Sequence, residues 1–557
     1  MRLNLLISIL SVLVLAATEA SFAQQTVGAI ENTASAWNGY TLFTPNTSRE
    51  TYLINNCGQI VNQWTSSFNP GLSVVLTEDG DLLRTARIAS DFNGGGSGGR
   101  LERWSWDGVL EWSYDYSTDN YHQHHDFELM PNGNILILAW ELRSEADAIA
   151  SGRNPLTFDD KLWPEQIVEV EPVGSDQINI VWEWHLWDHL IQDFDPTKAN
   201  FGVVEDHPER MDINFYNPLA SGAGGEADWV HLNSVDYNPD LDQIALCSRH
   251  LNEIWIIDHS TTSAEAAGSN GGNSGMGGDI LYRWGNPAAY GRGTPADQKL
   301  FGPHDIQWVD AGRPGEGNLI IYNNGQNRPA GNYSSVDEWI APYNPTTGTY
   351  DINPGEAFGP TDLTWTYDGD QLLYSSNISG CERLPNGNTL MIVGRDGAIH
   401  EVDTTGVRQG YYVNPVGIGG PTAQGAIPVA NDLFRGRRYS ADFPGLIGKD
   451  LSPGDVIEIG DLPWPCMTFA NPVGLNEIQE EPTQFGFQTQ GENLILQSLQ
   501  AEQFGWVIYD LMGRQVDSGL SFVSAHISTQ HWGPANYLVR IKSLRTDRIS
   551  SFLIPVP

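Results

Sequence analysis

Basic residues and cysteines are scarce in this chain, and both shortages limit what it can be. Its 557 residues hold 29 Lys and Arg against 69 Asp and Glu, a formal net charge of −40. Such a surface repels phosphate backbones and anionic lipids, which argues against nucleic-acid or membrane-surface partners. Four cysteines are too few for a disulfide scaffold. We expect them to be small buried side chains, with a bridge between Cys57 and Cys466 as the alternative.

Apolar runs long enough to span a bilayer are lacking beyond the first residues. Arg2 precedes an apolar stretch over residues 5–17, and small residues follow at Ser21 and Ala23. This pattern is typical of a secretory signal peptide over residues 1–23. The mature chain is therefore predicted to be secreted or displayed at the cell surface, with no membrane span.

Common catalytic signatures are missing as well. The sequence has no P-loop and no HExxH, and no Rossmann or GxSxG glycine pattern in it supports nucleotide or serine-esterase chemistry. No cofactor is expected. The chain does have 59 glycines, 32 prolines and 10% aromatic residues, a composition typical of short strands joined by turns around an apolar core.

A strand–turn–strand pattern recurs along the chain. It appears as VLTEDGDLL at residues 75–83, ELMPNGNIL at 128–136 and ERLPNGNTL at 382–390. Each copy predicts a hairpin with an Asn-Gly-type turn, for which we expect type I′ geometry. Four short strands per unit, repeated five or six times, predict an all-β chain built as a six-bladed β-propeller.

Irregular spacing between these turns predicts insertions in the propeller. The longest lies around residues 143–228 and includes a predicted helix over residues 186–192. Glycine-rich runs at residues 93–99 and 268–278 are interpreted as flexible surface loops.

The pattern changes near residue 476, which ends the propeller expected over residues 24–475. A Gln-rich linker leads to YDLMGRQV at residues 509–516 and GPANYLVRI at 533–541. These motifs closely resemble the C-terminal sorting domain of the type IX secretion system of Bacteroidetes. The resemblance implies a small C-terminal β-sandwich within residues 476–557, export across the outer membrane and contact with the type IX secretion machinery. A plain accessory β-sandwich is the alternative.

Three of the 13 histidines occupy matching places in the repeat. His125, His231 and His304 each come shortly before the turn of their unit, and the equivalent residue of the next unit is Ser379. In a propeller the residue that opens the innermost strand of a blade faces the central channel, so these side chains are expected to converge there. Histidines satisfied within the core are the alternative, which suits one such position better than three.

Arginines are predicted to complete this centre. Arg328 follows the turn of one histidine unit, Arg249 follows the strand after His231, and Arg435 begins a basic cluster. Imidazoles and guanidiniums together would hold a tetrahedral oxyanion through charge-assisted hydrogen bonds. The cluster at Arg435 would equally suit a solvated face that pairs with the acidic surface.

These residues carry a resemblance to a known family. WVHLNSV at residues 229–235, SRHLN at 248–252, GPH at 302–304 and LPNGNTL at 384–390 resemble arylsulfotransferases, which are six-bladed propellers of bacterial periplasms. The resemblance covers about residues 36–470. It implies transfer of a sulfuryl group from an aryl sulfate to a phenol without the nucleotide donor PAPS, through a transiently sulfated histidine.

Candidate site residues follow from the repeat and the resemblance. The expected catalytic residues are His125, His231, His304 and Arg328, and the expected substrate-binding residues are His124, Asn324, Arg249, Arg435, Arg438 and Tyr439. The well-studied members have their nucleophilic histidine where this chain has Ser379. Either His125 or His304 is therefore expected to replace it, or the chemistry has changed.

The implied mechanism has a neutral imidazole attacking sulfur while a second, protonated histidine donates to the leaving phenolate. Arg328 would stabilise the equatorial oxygens. Two other functions stay open. One is a non-catalytic propeller that binds an anionic or aryl ligand, and the other is a hydrolase that passes the sulfuryl group to water.

A second group of histidines lies in the insertion. His185 and His189 would share one face of the predicted helix, a spacing that suits Zn²⁺, with His207 as a third ligand. The preferred interpretation is a cap whose polar groups bond to the backbone, so no metal is expected.

Overall fold

The computed structural model describes the chain over residues 25–157, 160–215, 227–460, 466–469, 471, 485–490, 493–498, 503–510, 515–533, 535–543 and 549–556. The chain divides into two compact units, Met1–Asn471 and Pro472–Pro557. The predicted signal peptide lies outside the described residues. Strands dominate both units, which confirms the all-β prediction.

Six antiparallel sheets of four or five strands make up most of the described part of the first unit, and we number them 1 to 6. From the innermost strand outwards, sheet 1 contains Leu433–Tyr439, Tyr40–Pro45, Glu50–Asn55 and Ile60–Thr65; sheet 2 contains Pro70–Leu76, Leu82–Arg87, Gly99–Trp104 and Leu110–Asp115; sheet 3 contains Tyr121–Leu129, Ile135–Glu141, Glu165–Val173 and Gln177–His185. Sheet 4 contains Leu232–Asn238, Gln243–Ser248, Glu253–Asp258 and Tyr282–Trp284; sheet 5 contains His304–Trp308, Leu319–Asn323, Ser335–Trp339 and Trp365–Tyr367; sheet 6 contains Gly380–Arg383, Thr389–Val393, Ala398–Val402, Arg408–Val413 and Gly28–Asn32.

The six sheets form a closed ring. The innermost strands of successive sheets lie side by side, and the innermost strand of sheet 6 contacts that of sheet 1. Sheet 1 joins both ends of the unit, because Leu433–Tyr439 pairs with Tyr40–Pro45. Apolar clusters fill the space between each pair of neighbouring sheets. Burial of each Leu, Ile, Val or Phe side chain stabilises the fold by about 1.5–3 kcal/mol. Packing between neighbouring sheets therefore provides most of the stability of the ring.

The hairpin turns differ from the expected type. Gly133 and Gly387 have φ values of +85° and +87°, whereas the preceding Asn132 and Asn386 stay at negative φ. The amide of Gly133 bonds to the Met130 carbonyl, and the Met130 amide bonds to the Asn134 carbonyl. These are type I turns followed by a left-handed glycine, a longer loop than the type I′ hairpin that we expected.

The remaining elements of the first unit are short. Two short helices are present, Glu145–Ala150 and Ser263–Ala266. The described residues also form 3₁₀ turns at Leu186–His189, Val204–Asp206, Pro287–Tyr290, Pro295–Asp297, Gly394–Asp396 and Pro444–Leu446. Two-residue strands pair as Arg143–Ser144 with Lys161–Leu162, Leu190–Ile191 with Met211–Asp212, Tyr343–Asn344 with Thr349–Tyr350, and Val416–Gly417 with Gly420–Pro421.

Two predictions about the long insertion were wrong. Residues 165–185 are not inserted between units, since they form the two outer strands of sheet 3. The expected helix over residues 186–192 is a single 3₁₀ turn followed by the strand Leu190–Ile191, and His185 belongs to the strand before it. Strand pairing with sheet 3 therefore overrides the helical spacing of these histidines.

The cysteines divide into two kinds. Cys57 and Cys466 form a disulfide, so the alternative interpretation holds for this pair. Cys247 and Cys381 are free and buried, as expected of small core side chains. The disulfide links the turn between the two outer strands of sheet 1 to the end of the first unit.

The second unit has two antiparallel sheets that share one apolar core. One sheet has the order Phe485–Gln490, Asn493–Ser498, Ser524–Ser528, and the other has the order Gln515–Phe522, Gln503–Asp510, Ala535–Ser543, Ile549–Val556. Parts of both predicted sorting motifs and most of the linker lie outside the described residues. Across the described part of the chain, no helix has the length and apolar character needed to cross a bilayer.

Candidate functional site

Irregular strand pairing near the start of the innermost strands positions the histidines. The pairing register shifts in sheets 2, 3, 4 and 5 between the first and second strands. Residues other than glycine adopt positive φ at or beside these shifts, namely Leu72, His125, His231, Asp305 and, ahead of sheet 6, Ser379. Bulges re-aim side chains, and strained backbone of this kind concentrates at functional sites. The same device therefore turns side chains of several sheets inward.

The histidine centre begins with His231. Its ring lies 4.6 Å from that of His125 and 4.4 Å from that of His250, measured between centroids. The Nδ1–H of His231 donates to Oδ2 of Asp228 at 2.5 Å. No partner is present for its Nε2 among the described residues, and His231 is 7% exposed against 3% for His125 and 1% for His250. His231 is thus oriented by a carboxylate and offers its other nitrogen to the site.

The charge on Asp228 is maintained in spite of its burial. Burial alone would raise the pKa of this carboxyl, but the charge and hydrogen bond of His231 outweigh burial and lower the pKa to about 2. The carboxylate is therefore ionised at any working pH. An ionised Asp228 accepts the Nδ1–H of His231 and so fixes the tautomer of its ring.

A second chain of hydrogen bonds runs behind His125. Oε2 of Glu165 lies 2.8 Å from Nε2 of His124, and the Nδ1 atoms of His124 and His125 are 2.8 Å apart. The ring of His124 stacks on Trp140 with centroids 4.0 Å apart. His124 and Glu165 are fully buried, so His124 supports His125 from behind and does not face a substrate.

Burial makes these groups neutral. It lowers the pKa of His124 and His125 well below the usual range and, with the nearby carboxylate of Asp228, raises the pKa of Glu165 well above its usual range, although a backbone hydrogen bond opposes the rise. A protonated histidine, which the sequence-based mechanism requires as the acid, is therefore disfavoured at His125.

The glycine run covers this centre instead of forming a flexible surface loop. A Cβ atom on Gly95 would lie 3.3 Å from Cε1 of His231, and one on Gly96 would lie 2.2 Å from Nε2 of His125. A Cβ atom on Gly94 would overlap the ring of Trp140. The run has no side chains because the histidines occupy that space.

His304 is held differently from the other two. Its Nδ1 donates to Oδ1 of Asn324 at 2.7 Å, and its Nε2 accepts the backbone N–H of Ile378 at 3.1 Å. Burial and the charge of Arg249 lower its pKa well below the usual range. Both ring nitrogens are occupied, so the expectation that His304 replaces the missing nucleophile does not fit. Asn324 positions His304, and its own amide group donates to the carbonyls of Ser375 and Ile378.

Arg249 and Arg328 lack a carboxylate partner within the described residues, and the charge of Arg249 acts on the neighbouring His250 and His304. Arg249 donates to Oε1 of Gln326 at 2.8 Å. Arg328 donates to the Ser335 hydroxyl at 3.0 Å, and its guanidinium lies 4.3 Å from the ring centroid of Tyr333. Nε of Arg328 is buried without a partner. These two guanidiniums retain positive charge that an anionic ligand can use.

The other predicted binding residues are committed to the fold. Arg435 pairs with Asp126 at 2.5 Å and Asp305 at 2.9 Å. Arg438 pairs with Glu401, and the Tyr439 hydroxyl accepts the Leu76 amide. The alternative, a solvated basic face at Arg435, is also wrong, because the Arg435 side chain is 5% exposed and lies between buried carboxylates.

The three histidines considered as alternative metal ligands, His185, His189 and His207, bond to separate partners. His185 pairs with Glu141 and His207 with Glu209, while both ring nitrogens of His189 are bonded, to Asp279 and to a backbone carbonyl. Among the described residues, the one group of three close enough to hold a metal ion is Asp228, His231 and His250. The rings of His231 and His250 are stacked, with 29° between their planes. A metal lies in the plane of each imidazole that binds it, so two stacked rings do not converge on one ion.

Sequence reasoning missed Asp228, Glu165 and His250. Asp228 directly precedes the motif at residues 229–235 and His250 lies within the motif at 248–252, which is a local signal. Glu165 lies 41 residues after His124 and reaches it from a third strand, for which the sequence has no periodic signal.

Fold and histidine centre together define an all-β protein with a buried imidazole site, close to which the guanidinium of Arg249 has no carboxylate partner among the described residues. The sequence profile of the arylsulfotransferase (ASST) family matches residues 43–409, more than half of the chain. The chain therefore belongs to the arylsulfotransferase family. Family membership supports aryl sulfate sulfotransferase activity in general, with aryl sulfates and phenols as the substrate classes.

Solved structures show only distant likenesses. A Bacteroides caccae protein of unknown function is 11% identical, with 67% of this chain and 94% of that chain covered and a TM-score of 0.37. A streptogramin B lyase is 12% identical, with 70% and 84% covered and a TM-score of 0.32. Virginiamycin B lyase from Staphylococcus aureus is 11% identical, with 69% and 87% covered and a TM-score of 0.28. No curated protein matches the sequence. These likenesses are too weak to support an argument.

Proposed function

We propose that this protein transfers a sulfuryl group from an aryl sulfate to a phenol through a sulfated His231. The observation that carries the proposal is the Asp228–His231 pair, which leaves Nε2 of His231 open beside the glycine run. With Nδ1–H held by Asp228, the lone pair is on Nε2, the atom that attacks sulfur. The resulting positive ring faces an ionised carboxylate, which stabilises the intermediate.

Charge on the sulfuryl oxygens would be met by Arg249 and Arg328, two guanidiniums without a carboxylate partner within the described residues. Electrostatic stabilisation from preorganised cations is often the largest single contribution to transfer of such groups. No nucleotide donor or metal has a role in this scheme. Leu72, Ile378 and Phe434 form a small apolar cluster next to His125 and His304, and they offer contact for an aryl ring.

We interpret the ring of six sheets as a six-bladed β-propeller. Inner strands that neighbour one another in sequence order, and a first sheet that joins both ends of the unit, support this architecture. In such a ring the innermost strands surround the axis, which explains why sheets 3, 4 and 5 all contribute histidines.

We also propose that the protein is exported. Residues 1–23 would be removed as a signal peptide, and residues 476–557 would act as the linker and type IX sorting domain that the secretion machinery recognises. The two sheets and shared apolar core of the second unit support this proposal, because a sorting domain of this kind is expected to be a small β-sandwich. The protein would then be secreted or displayed at the cell surface of a member of the Bacteroidetes.

The test is release of 4-nitrophenol from 4-nitrophenyl sulfate by the mature chain, with and without added phenol. Release that depends on phenol, with phenyl sulfate as product, is expected. Release that is indifferent to phenol would make the protein a sulfate-ester hydrolase. A folded protein that releases nothing would favour the non-catalytic binding module.

The glycine run provides a further prediction. We expect Gly95→Ala to lower kcat/KM about tenfold, because its methyl group would crowd His231, and crowding a packed site costs about 1–3 kcal/mol. The measurement is steady-state kinetics with 4-nitrophenyl sulfate. Gly419→Ala is the control, since a Cβ atom there meets nothing within 4 Å. Equal kinetics for both variants would place the reacting atoms away from this run.

A further inference from the structure

Sulfuryl transfer to and from phenols requires a proton donor and then a proton acceptor at the same place. The leaving phenolate must gain a proton, and the incoming phenol must lose one. Burial lowers the pKa of His124, His125, His250 and His304, so an imidazolium is disfavoured at each of them for the first task. The hydrogen bonds behind His125 offer another route.

We infer that Glu165, His124 and His125 form a proton relay that serves the histidine centre. This inference rests on the proposed function and extends it to residues that do not contact the substrate. The geometry is continuous, because Glu165 Oε2 lies 2.8 Å from His124 Nε2 and His124 Nδ1 lies 2.8 Å from His125 Nδ1. The ring of His125 then lies 4.6 Å from that of His231.

Hydrogen-bond direction follows from the groups present. Two facing Nδ1 atoms share one proton, so one donates and the other accepts. Oε1 of Glu165 accepts the backbone N–H of Leu232 at 2.8 Å, which leaves Oε2 to face His124. With Glu165 protonated, its O–H donates to His124 Nε2, His124 Nδ1–H donates to His125 Nδ1, and Nε2 of His125 carries a proton.

The sulfation step balances without an imidazolium at His125. The S–O bond breaks with its electron pair moving to the phenolic oxygen, while Nε2 of His231 forms the N–S bond. The phenolic oxygen takes the Nε2 proton of His125. One proton shifts from His124 to Nδ1 of His125, and another shifts from Glu165 to Nε2 of His124.

The relay ends this step with Glu165 ionised and Nε2 of His125 able to accept a proton. In the second step the acceptor phenol gives its proton to His125 and attacks sulfur, and the N–S bond breaks. Protons then shift back along the chain to Glu165. His125 is the catalytic residue of this relay, and His124 and Glu165 are positioning residues that act through it.

Glu165→Gln separates proton transfer from structure. The amide oxygen accepts the Leu232 N–H and the amide N–H donates to His124, so both hydrogen bonds are retained, but the amide cannot release its proton. Glu169→Gln is the matched control, because Glu169 lies on the same strand and also pairs with a histidine, His259.

The experiment measures single-turnover sulfation of the enzyme with 4-nitrophenyl sulfate and with phenyl sulfate. The phenyl donor has the more basic leaving group and needs the proton. We expect Glu165→Gln to slow sulfation about 100-fold with phenyl sulfate, within the usual range for general acid catalysis. With 4-nitrophenyl sulfate, its rate should stay within a few-fold of that of the unaltered enzyme. Glu169→Gln should match the unaltered enzyme with both donors.

A Glu165→Gln variant that is slowed equally with both donors, or with neither, would overturn the relay. An unaltered enzyme that shows no sulfation with either donor would instead overturn the proposed function. A proton inventory of the unaltered enzyme with phenyl sulfate gives a measurement independent of any variant's folding. Several protons in flight predict a curved plot, and a linear plot would contradict the relay.

Discussion

His231→Asn is expected to abolish sulfuryl transfer, lowering kcat by about 10⁴-fold or more, as removal of a nucleophile does in other covalent enzymes. Asparagine retains a donor toward Asp228 but has no nitrogen lone pair that can attack sulfur. Asp228→Asn should be less severe, at about 100-fold, because the ring remains but its tautomer and its positive charge are no longer supported. Both values are to be measured by phenol-dependent release of 4-nitrophenol.

The matched control is His259→Asn, because His259 also pairs with carboxylates, Asp242 and Glu169, yet lies outside the histidine centre. Its kinetics should stay close to those of the unaltered enzyme. Mass spectrometry of the enzyme quenched with donor alone should find one sulfuryl group on the peptide that contains His231. If His125→Asn lost that label while His231→Asn kept it, His125 would be the nucleophile.

Arg435→Met is expected to destabilise the protein by about 3–5 kcal/mol, the cost of leaving buried carboxylates without their cation. Asp126 and Asp305 are both 1% exposed, and each pairs with Arg435. Methionine preserves much of the side-chain volume, so the loss of stability reports the removal of the positive charge of Arg435. The measurement is the urea midpoint of the first unit, with activity followed on the same samples.

Arg408→Met is the control for this prediction, because Arg408 pairs with Glu31 at the surface with 43% of its side chain exposed. Exposed pairs contribute about 0–1 kcal/mol. The double variant Asp126→Asn with Arg435→Met should recover part of the lost stability. An Arg435→Met protein with unchanged stability and a raised KM would restore the substrate-binding role that the sequence suggested.

The fold class was accessible from the sequence because turns repeat. The LPNGN-type segments mark one hairpin in each of sheets 2, 3 and 6, and the strand alternation between them needs no long-range information. The turn type was not accessible in the same way, since a type I turn with a left-handed glycine and a type I′ turn favour similar residues. The outer strands of sheet 3 were assigned to an insertion because the copies of the repeat along the chain are unevenly spaced.

The site was accessible only in part. His125 and His231 occupy equivalent places in the repeat, and His250 follows the second strand of the sheet that His231 begins. A sequence can reveal both relations. Arg435 could not be assigned, because its partners Asp126 and Asp305 lie more than 100 residues away and pair with it across the ring. His304 has a matching place but a different state, since a backbone amide of residue 378 occupies its second nitrogen.

Arg435 is carried by Leu433–Tyr439, the strand that completes sheet 1 and closes the ring. A chain interrupted before residue 433 contains every histidine of the centre but lacks the cation that joins sheets 3 and 5. We therefore expect the proposed reaction to require that the ring of six sheets is closed. Turnover would then report that folding is complete, and a chain whose ring is open is expected to show none.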